Sequence, residues 1–286
     1  MNRNNGYLQL KLANNYHELI NRKEIIPLRR NKVSFYIDSL KVFFKEEINV
    51  YLELLGTKIG NLLSLDVATY DMLEVITEDK SYKGVVSNDF RKNGYELVNM
   101  SEIIDTYIKD NNIEVLFNDM NLELLKDAIE YRYINYENNE QIVNNIMNNL
   151  KKYFLLDILI GNIDNGKYNY ELMESNTDAI TTPYYDFEEI FKFTSTRFTA
   201  SDNNNYDVYD NLYEFLQEET NYLDIFLDMY QKLTPFKVED LINEVEKDTN
   251  SKIDNNPKNI IFLSYSRHYQ KIGEVLNRIN HNKLKK

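Results

Sequence analysis

The chain has 286 residues, no cysteine and a formal net charge of -13, from 33 basic and 46 acidic side chains. The absence of cysteine excludes a disulfide framework, a Cys-ligated metal centre and a thiol nucleophile. The acidic surplus argues against a chain-wide electrostatic grip on nucleic acid. The hydrophobic share of 43% is too high for disorder, and the length suits one domain of two lobes or two closely joined domains.

Neither a membrane span nor a leader is predicted. The longest apolar run, residues 154–161, is interrupted by Asp157 and is far shorter than the ~20 residues that a membrane span needs. The first five residues contain no apolar stretch, so we expect no signal peptide. A soluble protein of a reducing compartment is the expectation from these features.

Residues 1–90 are predicted to form a small β-rich lobe. Residues 8–20 read as a short amphipathic helix, and alternating apolar and polar residues over 33–37 and 41–45 predict a hairpin. The further predicted elements are a helix capped by Asn49, with Leu52, Leu55, Ile59, Leu62 and Leu63 on one face, and strands over 67–75 and 83–87. The predicted order in this lobe is therefore β–β–α–β–β.

Residues 91–286 are predicted to form a larger helical lobe. The predicted helices cover 122–133, 141–150, 151–160, 212–227, 238–245 and 260–279, and two short strands are predicted at 170–173 and 182–185. A β-rich lobe followed by a helical lobe is an α+β arrangement. The three histidines, His17, His268 and His281, are too scattered to form a metal site or a catalytic triad, and we interpret each as a helix-surface residue.

One region, residues 154–169 (FLLDILIGNIDNGKYN), combines carboxylates, amides and turn residues beside an apolar helix. Phosphoryl transfer needs an aspartate that orients or deprotonates the acceptor hydroxyl, together with Asn and Asp oxygens that bind Mg²⁺. Asp164 and Asn169 have the Asp-x4-Asn spacing that would supply the first two groups. The same spacing occurs elsewhere in this Asn-rich chain, at Asp157/Asn162 and Asp254/Asn259.

The context favours Asp164. It follows the helix and its Gly161 break and precedes a short strand. Asp186, on a neighbouring turn, would then be the second metal ligand. The alternative for Asp164 and Asn169 is a capped turn between helix and strand with no catalytic role. Asp157 lies inside the apolar helical run, so a structural role is favoured for it over that of a second base.

These motifs resemble the HipA-like serine/threonine kinases, whose pattern is a GN-x-D-x-H-x-x-N catalytic loop followed by a P-x-Y-D metal turn. Here the two stretches read GNIDNGKYN at 161–169 and PYYD at 183–186. The resemblance extends to KVFFK at 41–45, YLELL at 51–55, LLSLDVATYD at 62–71 and KGVVSNDF at 83–90. It therefore covers roughly residues 41–187, with order and spacing kept.

The resemblance implies a bilobal protein-kinase-like fold of the HipA and PI-kinase type, with ATP bound between the lobes and ATP and Mg²⁺ as cofactors. It implies that Asp164 orients the acceptor hydroxyl and that Asn169 and Asp186 bind the metal. Lys167 would reach the γ-phosphate, unless it simply faces solvent. The implied ATP-binding residues are Lys45 on the phosphates, with Lys41 as its rival, Glu53 as its helix partner, and Val86, Ser87 and Asn88 at the hinge.

Two features depart from the pattern. Gly166 stands where the family has a histidine, and no glycine-rich loop precedes Lys45; Arg29, Arg30 and Lys32 either neutralise phosphate there or form a solvated run. The resemblance implies an ATP- and Mg²⁺-dependent protein serine/threonine kinase, capable of autophosphorylation, with a toxin or translocated-effector role. The alternatives are a phosphotransferase acting on a lipid or small-molecule alcohol, and a catalytically weak kinase-like binding module.

The expected partner is an unidentified protein with a serine or threonine acceptor, and no nucleic acid or membrane is expected to bind. The expected location is the cytoplasm, or a host that the protein reaches by secretion without a cleavable signal peptide.

Overall fold

The structure, a computed structural model, describes residues 3–4, 7–12, 16–28, 32–37, 40–46, 50–114, 122–162, 170–191, 208–250 and 252–283. The chain divides into two compact units, and neither is continuous in sequence. Unit 1 comprises Met1–Phe90, Tyr185–Glu188 and Pro235–Phe262, and unit 2 comprises Arg91–Tyr184, Glu189–Thr234 and Leu263–Lys286. The division into functional lobes at residue 90 stays a prediction.

Strands and helices alternate in the first part of the chain, and helices dominate the second. The strands are β1 (Arg3–Asn4), β2 (Tyr7–Lys11), β3 (Ile26–Pro27), β4 (Lys32–Ile37), β5 (Leu40–Glu46), β6 (Tyr70–Ile76), β7 (Ser81–Asn88), β8 (Glu96–Asn99), β9 (Glu171–Glu174) and β10 (Ala179–Thr181). The helices are α1 (Tyr16–Asn21), α2 (Val50–Leu62), α3 (Met100–Asp110), α4 (Leu122–Tyr133), α5 (Asn139–Ile160), α6 (Val208–Glu218), α7 (Thr220–Lys232), α8 (Pro235–Thr249) and α9 (Asn255–Lys283). None of the helices in the described ranges is long and apolar enough to span a membrane.

Unit 1 contains a seven-stranded sheet in the order β1-β2-β6-β7-β5-β4-β3, in which the β2–β6 pair is parallel and the other described pairs are antiparallel. The central hairpin of β4 and β5 pairs Lys32 with Lys45, and β7 places Val85 opposite Lys45 on its other side. Phe44 projects from the opposite face into a buried apolar cluster. Because successive side chains of a strand alternate between faces, burial of Phe44 fixes the face from which Lys45 projects.

Helix α2 packs on β6 and β7, and a glycine permits close contact with the 185–188 turn. The ring of Phe187 is fully buried and lies so close to Gly56 that a Cβ at this position would overlap it. Thr57, one residue on, donates a hydrogen bond from Oγ1 to the carbonyl oxygen of Ala68 at 2.8 Å. The lack of a side chain at Gly56 thus allows α2 and the turn to approach each other.

Unit 2 combines a three-stranded antiparallel sheet, in the order β10-β9-β8, with helices α3 to α7. Helix α5 is its longest described helix that lies wholly within the unit, at 22 residues. It ends at Gly161, which has φ 61° and ψ 47°, the left-handed conformation that glycine adopts readily at a helix C-terminus. Residue 162, which leaves this helix, is buried.

The predicted α+β class is confirmed, with a β-rich N-terminal part and a helical C-terminal part. The predictions of the hairpin, α2 and α4 are confirmed, and the strands predicted at 67–75 and 83–87 correspond to β6 and β7. The prediction for residues 8–20 was wrong in its first half, because β2 pairs with β6 and only the second half forms α1. The predicted helices 141–150 and 151–160 are one helix, 212–227 is divided between α6 and α7, and β10 replaces the strand predicted at 182–185.

The prediction that His268 lies on a helix surface was also wrong. Its side chain is only 3% exposed, its Nε2 donates to the carbonyl oxygen of Ile158 at 2.6 Å, and its Nδ1 accepts from the Tyr209 hydroxyl at 2.8 Å. Burial lowers the pKa of His268 to about 4; the bond to Ile158 opposes this shift, and the Lys271 ammonium adds to it. His268 is therefore a neutral core residue that anchors the last turns of α5.

We predict that Gly56→Ala destabilises the protein by up to about 2 kcal/mol, because overpacking costs about 1–3 kcal/mol and the better helix propensity of alanine offsets about 1 kcal/mol. The measurement is the urea midpoint of unfolding. The control is Asn61→Ala at an exposed position of the same helix, which should change stability by less than about 0.5 kcal/mol. A stabilised Gly56→Ala variant would contradict the close packing of Phe187.

We further predict that acid weakens the fold through His268. The unfolded imidazole takes up a proton below about pH 6.5 and the folded one only near pH 4, so stability falls as the pH drops between these values. The loss from this residue is at most about 3 kcal/mol. His268→Gln should flatten the urea-midpoint profile between pH 7 and pH 4, whereas His281→Gln, at an exposed position, should leave it unchanged. Parallel wild-type and His268→Gln profiles would disprove this role.

Candidate functional site

The side chain of Lys45, near the end of β5, meets three carboxylates within unit 1. Its Nζ lies 3.2 Å from Oε1 of Glu53 on α2 and 2.7 Å from Oδ1 of Asp186, and it also pairs with Oε2 of Glu188. The Lys45 side chain is 15% exposed, so it is mostly shielded from water yet still accessible from one side. One ammonium thus links a strand, a helix and the 185–188 turn.

Glu53 is fully buried and uses both oxygens. Oε1 accepts from Lys45, and Oε2 accepts from the backbone N–H of Phe187 at 2.8 Å. Burial raises the pKa of Glu53 to about 7, against the opposing effects of the Lys45 ammonium and the Phe187 N–H. Because a buried carboxylate is costly unless it is paired, Glu53 fixes the position of both its partners.

The turn that carries Asp186 has an unusual backbone conformation. Asp186 has φ 71°, in the left-handed region that aspartate tolerates better than most residues. Its backbone N–H donates to the Tyr70 hydroxyl at 3.4 Å. Tyr185 stacks on Phe90, with ring centroids 5.8 Å apart and an interplanar angle of 23°. Contacts on both sides of Asp186 therefore hold its carboxylate at Lys45.

A second lysine approaches the same carboxylate. Nζ of Lys32, the cross-strand neighbour of Lys45, lies 3.7 Å from Oδ2 of Asp186. Burial by itself would lower the pKa of Lys45, but the Glu53, Asp186 and Glu188 carboxylates outweigh it and raise the pKa above its usual value. Lys45 therefore remains an ammonium.

The chemistry of these donors fits a divalent cation. One carboxylate oxygen each from Glu53, Asp186 and Glu188 lies within 4.8 Å of the others. Carboxylate oxygens are the ligands that Mg²⁺ and Ca²⁺ prefer. The positive charge of the Lys45 ammonium already pairs with carboxylate oxygens of the same three residues. Asp186 and Glu188, which are less buried than Glu53, are the described residues best suited to hold a metal.

The structure brings together three of the sequence-predicted site residues, Lys45, Glu53 and Asp186. Lys41, the rival to Lys45, lies on the same strand with its Nζ 5.8 Å from the centroid of the Phe43 ring. Asp164, Lys167 and Asn169 lie outside the described residues, as do Arg29 and Arg30.

The predicted hinge residues do not share one environment. The Val86 side chain belongs to the buried apolar cluster, on the sheet face opposite Lys45. Ser87 is half-buried and pairs with Phe43, on the same face as Lys45, and Asn88 is exposed at the end of β7. A contact of Val86 with ATP would therefore have to use its backbone rather than its side chain.

Two residues at the site, Glu188 and Tyr70, were not predicted from the sequence as site residues. Tyr70 lies within a stretch that carries the resemblance, and its hydroxyl accepts a hydrogen bond at the turn of Asp186. Glu188 follows Asp186 by two positions, and the buried Phe187 between them is the signal that could have identified it. Because Phe187 between the two acids points into the core, the carboxylates of Asp186 and Glu188 are expected to lie together on the opposite side.

No protein-family model and no curated protein sequence matches this chain. Among solved structures, the proinflammatory kinase CtkA of Helicobacter pylori is 19% identical, with a TM-score of 0.61 over 90% of this chain and 97% of CtkA. HipA of Shewanella oneidensis, solved with HipB and operator DNA, is 12% identical, with a TM-score of 0.56 over 90% of this chain and 64% of HipA. The chain therefore has the fold of the HipA-like kinases, as its motifs predicted.

Proposed function

We propose that this chain is an ATP- and Mg²⁺-dependent protein serine/threonine kinase of the HipA-like type. The observation that carries the proposal is the Lys45 ammonium, 3.2 Å from Glu53 and 2.7 Å from Asp186. A strand lysine held by a helix glutamate beside a metal-binding aspartate is the arrangement with which protein kinases bind nucleotide phosphates. The HipA-like fold supports the same interpretation.

In this proposal Lys45 binds the α- and β-phosphate oxygens, and Glu53 holds its ammonium in place. Asp186 would hold the metal together with Asn169, and Glu188 is available as a further oxygen ligand. Bound Mg²⁺ would neutralise charge on the β- and γ-phosphates.

The remaining proposed roles fall on the 163–169 segment. Asp164 accepts the proton of a serine or threonine hydroxyl as its oxygen forms a bond to the γ-phosphorus, and the bond from that phosphorus to the bridging oxygen breaks to release ADP. Lys167 stabilises the transferred group. The products are a phosphorylated protein and ADP, and autophosphorylation requires no second substrate protein.

Two other functions use parts of the same site. A lipid headgroup or a small-molecule alcohol would accept phosphate by the same chemistry, and a weak binding module would hold nucleotide without transfer. Gly166 and the missing glycine-rich loop motivate the binding module. A thermal shift with Mg-ATP, followed by transfer of radiolabel from [γ-³²P]ATP, separates these functions, because binding without transfer would favour the module.

We predict that Lys45→Met lowers the rate of phosphate transfer on the order of 100-fold or more, because the phosphate oxygens lose a positive charge in a shielded site. The measurement is radiolabel incorporation from [γ-³²P]ATP with Mg²⁺. Lys41→Met, on the same strand, is the matched control and should retain the wild-type rate. Equal losses in the two variants would assign the effect to general charge rather than to the Lys45 site.

We also predict that Asp164→Asn lowers transfer on the order of 100- to 10,000-fold, the usual contribution of a group that accepts a proton in the reaction. Its thermal melting point should stay at the wild-type value. Asp254→Asn is the matched control, because Asp254 has the same Asp-x4-Asn spacing and is exposed. Retained activity in Asp164→Asn would remove this residue from the proposed mechanism.

A further inference from the structure

A second carboxylate, Asp157 near the end of α5, is fully buried in unit 2. Its Oδ1 accepts from the Tyr184 hydroxyl and from Nδ2 of Asn162, the latter at 3.1 Å. Its Oδ2 accepts from the Tyr170 hydroxyl at 2.6 Å. The carbonyl oxygen of Asp157 also accepts the backbone N–H of Asn162 at 3.0 Å. This buried carboxylate is therefore bound to three side chains and is not exposed to substrate.

The partners of Asp157 stand at the ends of the candidate catalytic loop, residues 163–169. Asn162 immediately precedes this loop and Tyr170 immediately follows it. Both bind the same carboxylate, so the residues on either side of the loop have a common anchor. Tyr184 lies two positions before Asp186 in the sequence. Residues within or next to both motifs proposed to carry the chemistry thus converge on Asp157.

The environment of the network keeps its hydroxyls as donors. Burial raises the pKa of Tyr170 and of Tyr184 well above the usual value for a tyrosine, and the Asp157 carboxylate raises both further. The side chain of Asn162 additionally donates to the Tyr184 hydroxyl at 2.6 Å. The Tyr153 ring supports Tyr184 from one side, with ring centroids 5.2 Å apart. Loss of one of these bonds weakens the whole network, because a buried carboxylate that lacks a donor is no longer compensated for its removal from water.

We propose that Asp157, through Asn162, Tyr170 and Tyr184, is the positioning residue of the candidate catalytic loop. The inference rests on the proposed function, since it assumes that Asp164, Lys167 and Asn169 act on phosphate. The described residues on the two flanks, Asn162 and Tyr170, bind the same carboxylate, and small displacements of catalytic groups lower rates steeply. Asp157 acts through this geometry and is not itself a catalytic residue.

The test compares Tyr170→Phe with Tyr133→Phe as a matched control. Tyr133 is fully buried in unit 2 and, like Tyr170, donates its hydroxyl to a carboxylate, that of Glu174 at 3.1 Å, but it does not flank the loop. The first measurement is amide hydrogen exchange over 163–169, followed by mass spectrometry of the full-length chain without nucleotide. The second is kcat and KM for ATP in the radiolabel assay.

We expect Tyr170→Phe to raise exchange over 163–169 on the order of 10-fold, through more frequent local opening. We expect kcat to fall by about the same factor, with KM for ATP within about twofold, because the loss concerns orientation rather than nucleotide binding. Tyr133→Phe should change neither the exchange over 163–169 nor kcat, even if it lowers the melting point as much as Tyr170→Phe does. If Tyr170→Phe does not fold, the isosteric Asp157→Asn takes its place with the same expectations.

Unchanged exchange over 163–169 in Tyr170→Phe, or an equal rise in Tyr133→Phe, would overturn the inference. Faster exchange without a fall in kcat would also overturn it, since the network would then serve stability alone. A wild-type protein that transfers no phosphate would disprove the proposed function instead. The exchange comparison needs no activity, so in that case it still decides whether Asp157 anchors the loop.

Discussion

The pairing of the Lys45 ammonium with Glu53, Asp186 and Glu188 is the interaction on which the organisation of unit 1 depends. The attraction between such charges compensates for their burial only when the geometry is good, and removing one partner of a buried pair typically costs about 3–5 kcal/mol. Three separate stretches of the chain must therefore be placed accurately. The strand register directs Lys45, α2 carries Glu53, and Gly56 lets the Phe187 turn approach.

Among the described residues, each unit has one fully buried carboxylate that ties a helix to a candidate functional motif, and the two carboxylates differ in their partners. Glu53 in unit 1 binds an ammonium and a backbone N–H, whereas Asp157 in unit 2 binds two phenols and an amide side chain. A lysine keeps its charge and can exchange carboxylate oxygens for phosphate oxygens, which suits a binding site. The neutral phenols and amide around Asp157 carry no charge with which to bind phosphate, so their arrangement suits a structural role.

The sequence predicted those parts of the fold whose signal is local. Alternation over 33–37 and 41–45 predicted the hairpin, and the apolar spacing of 122–133 predicted α4 with its observed bounds. The helix predicted over residues 8–20 was wrong in its first half because β2 is stabilised by parallel pairing with β6, more than 60 positions later. A local sequence pattern contains no information about so distant a partner. His268 misled because its polarity suggested a surface, while its bonds to Ile158 and Tyr209 let it be buried.

The candidate site was predictable to the extent that it follows motif spacing. Lys45, Glu53 and Asp186 were identified from their motifs, and they meet in the structure. Glu188 and the convergence of Tyr170 and Tyr184 on Asp157 were not predicted, because they depend on how turns fold back on helices. The sequence did favour a structural role for Asp157, and in the structure its carboxylate accepts hydrogen bonds from the side chains of Asn162, Tyr170 and Tyr184.

The most direct test of phosphotransfer is the intact mass of the purified full-length protein after incubation with ATP and Mg²⁺. We expect a gain of whole phosphate units in the wild-type protein that phosphatase treatment removes, and no gain in Asp164→Asn incubated alongside it. An unchanged wild-type mass, under conditions where Mg-ATP raises the melting point, would contradict autophosphorylation and indicate that the Lys45 site binds nucleotide without transferring phosphate to the chain.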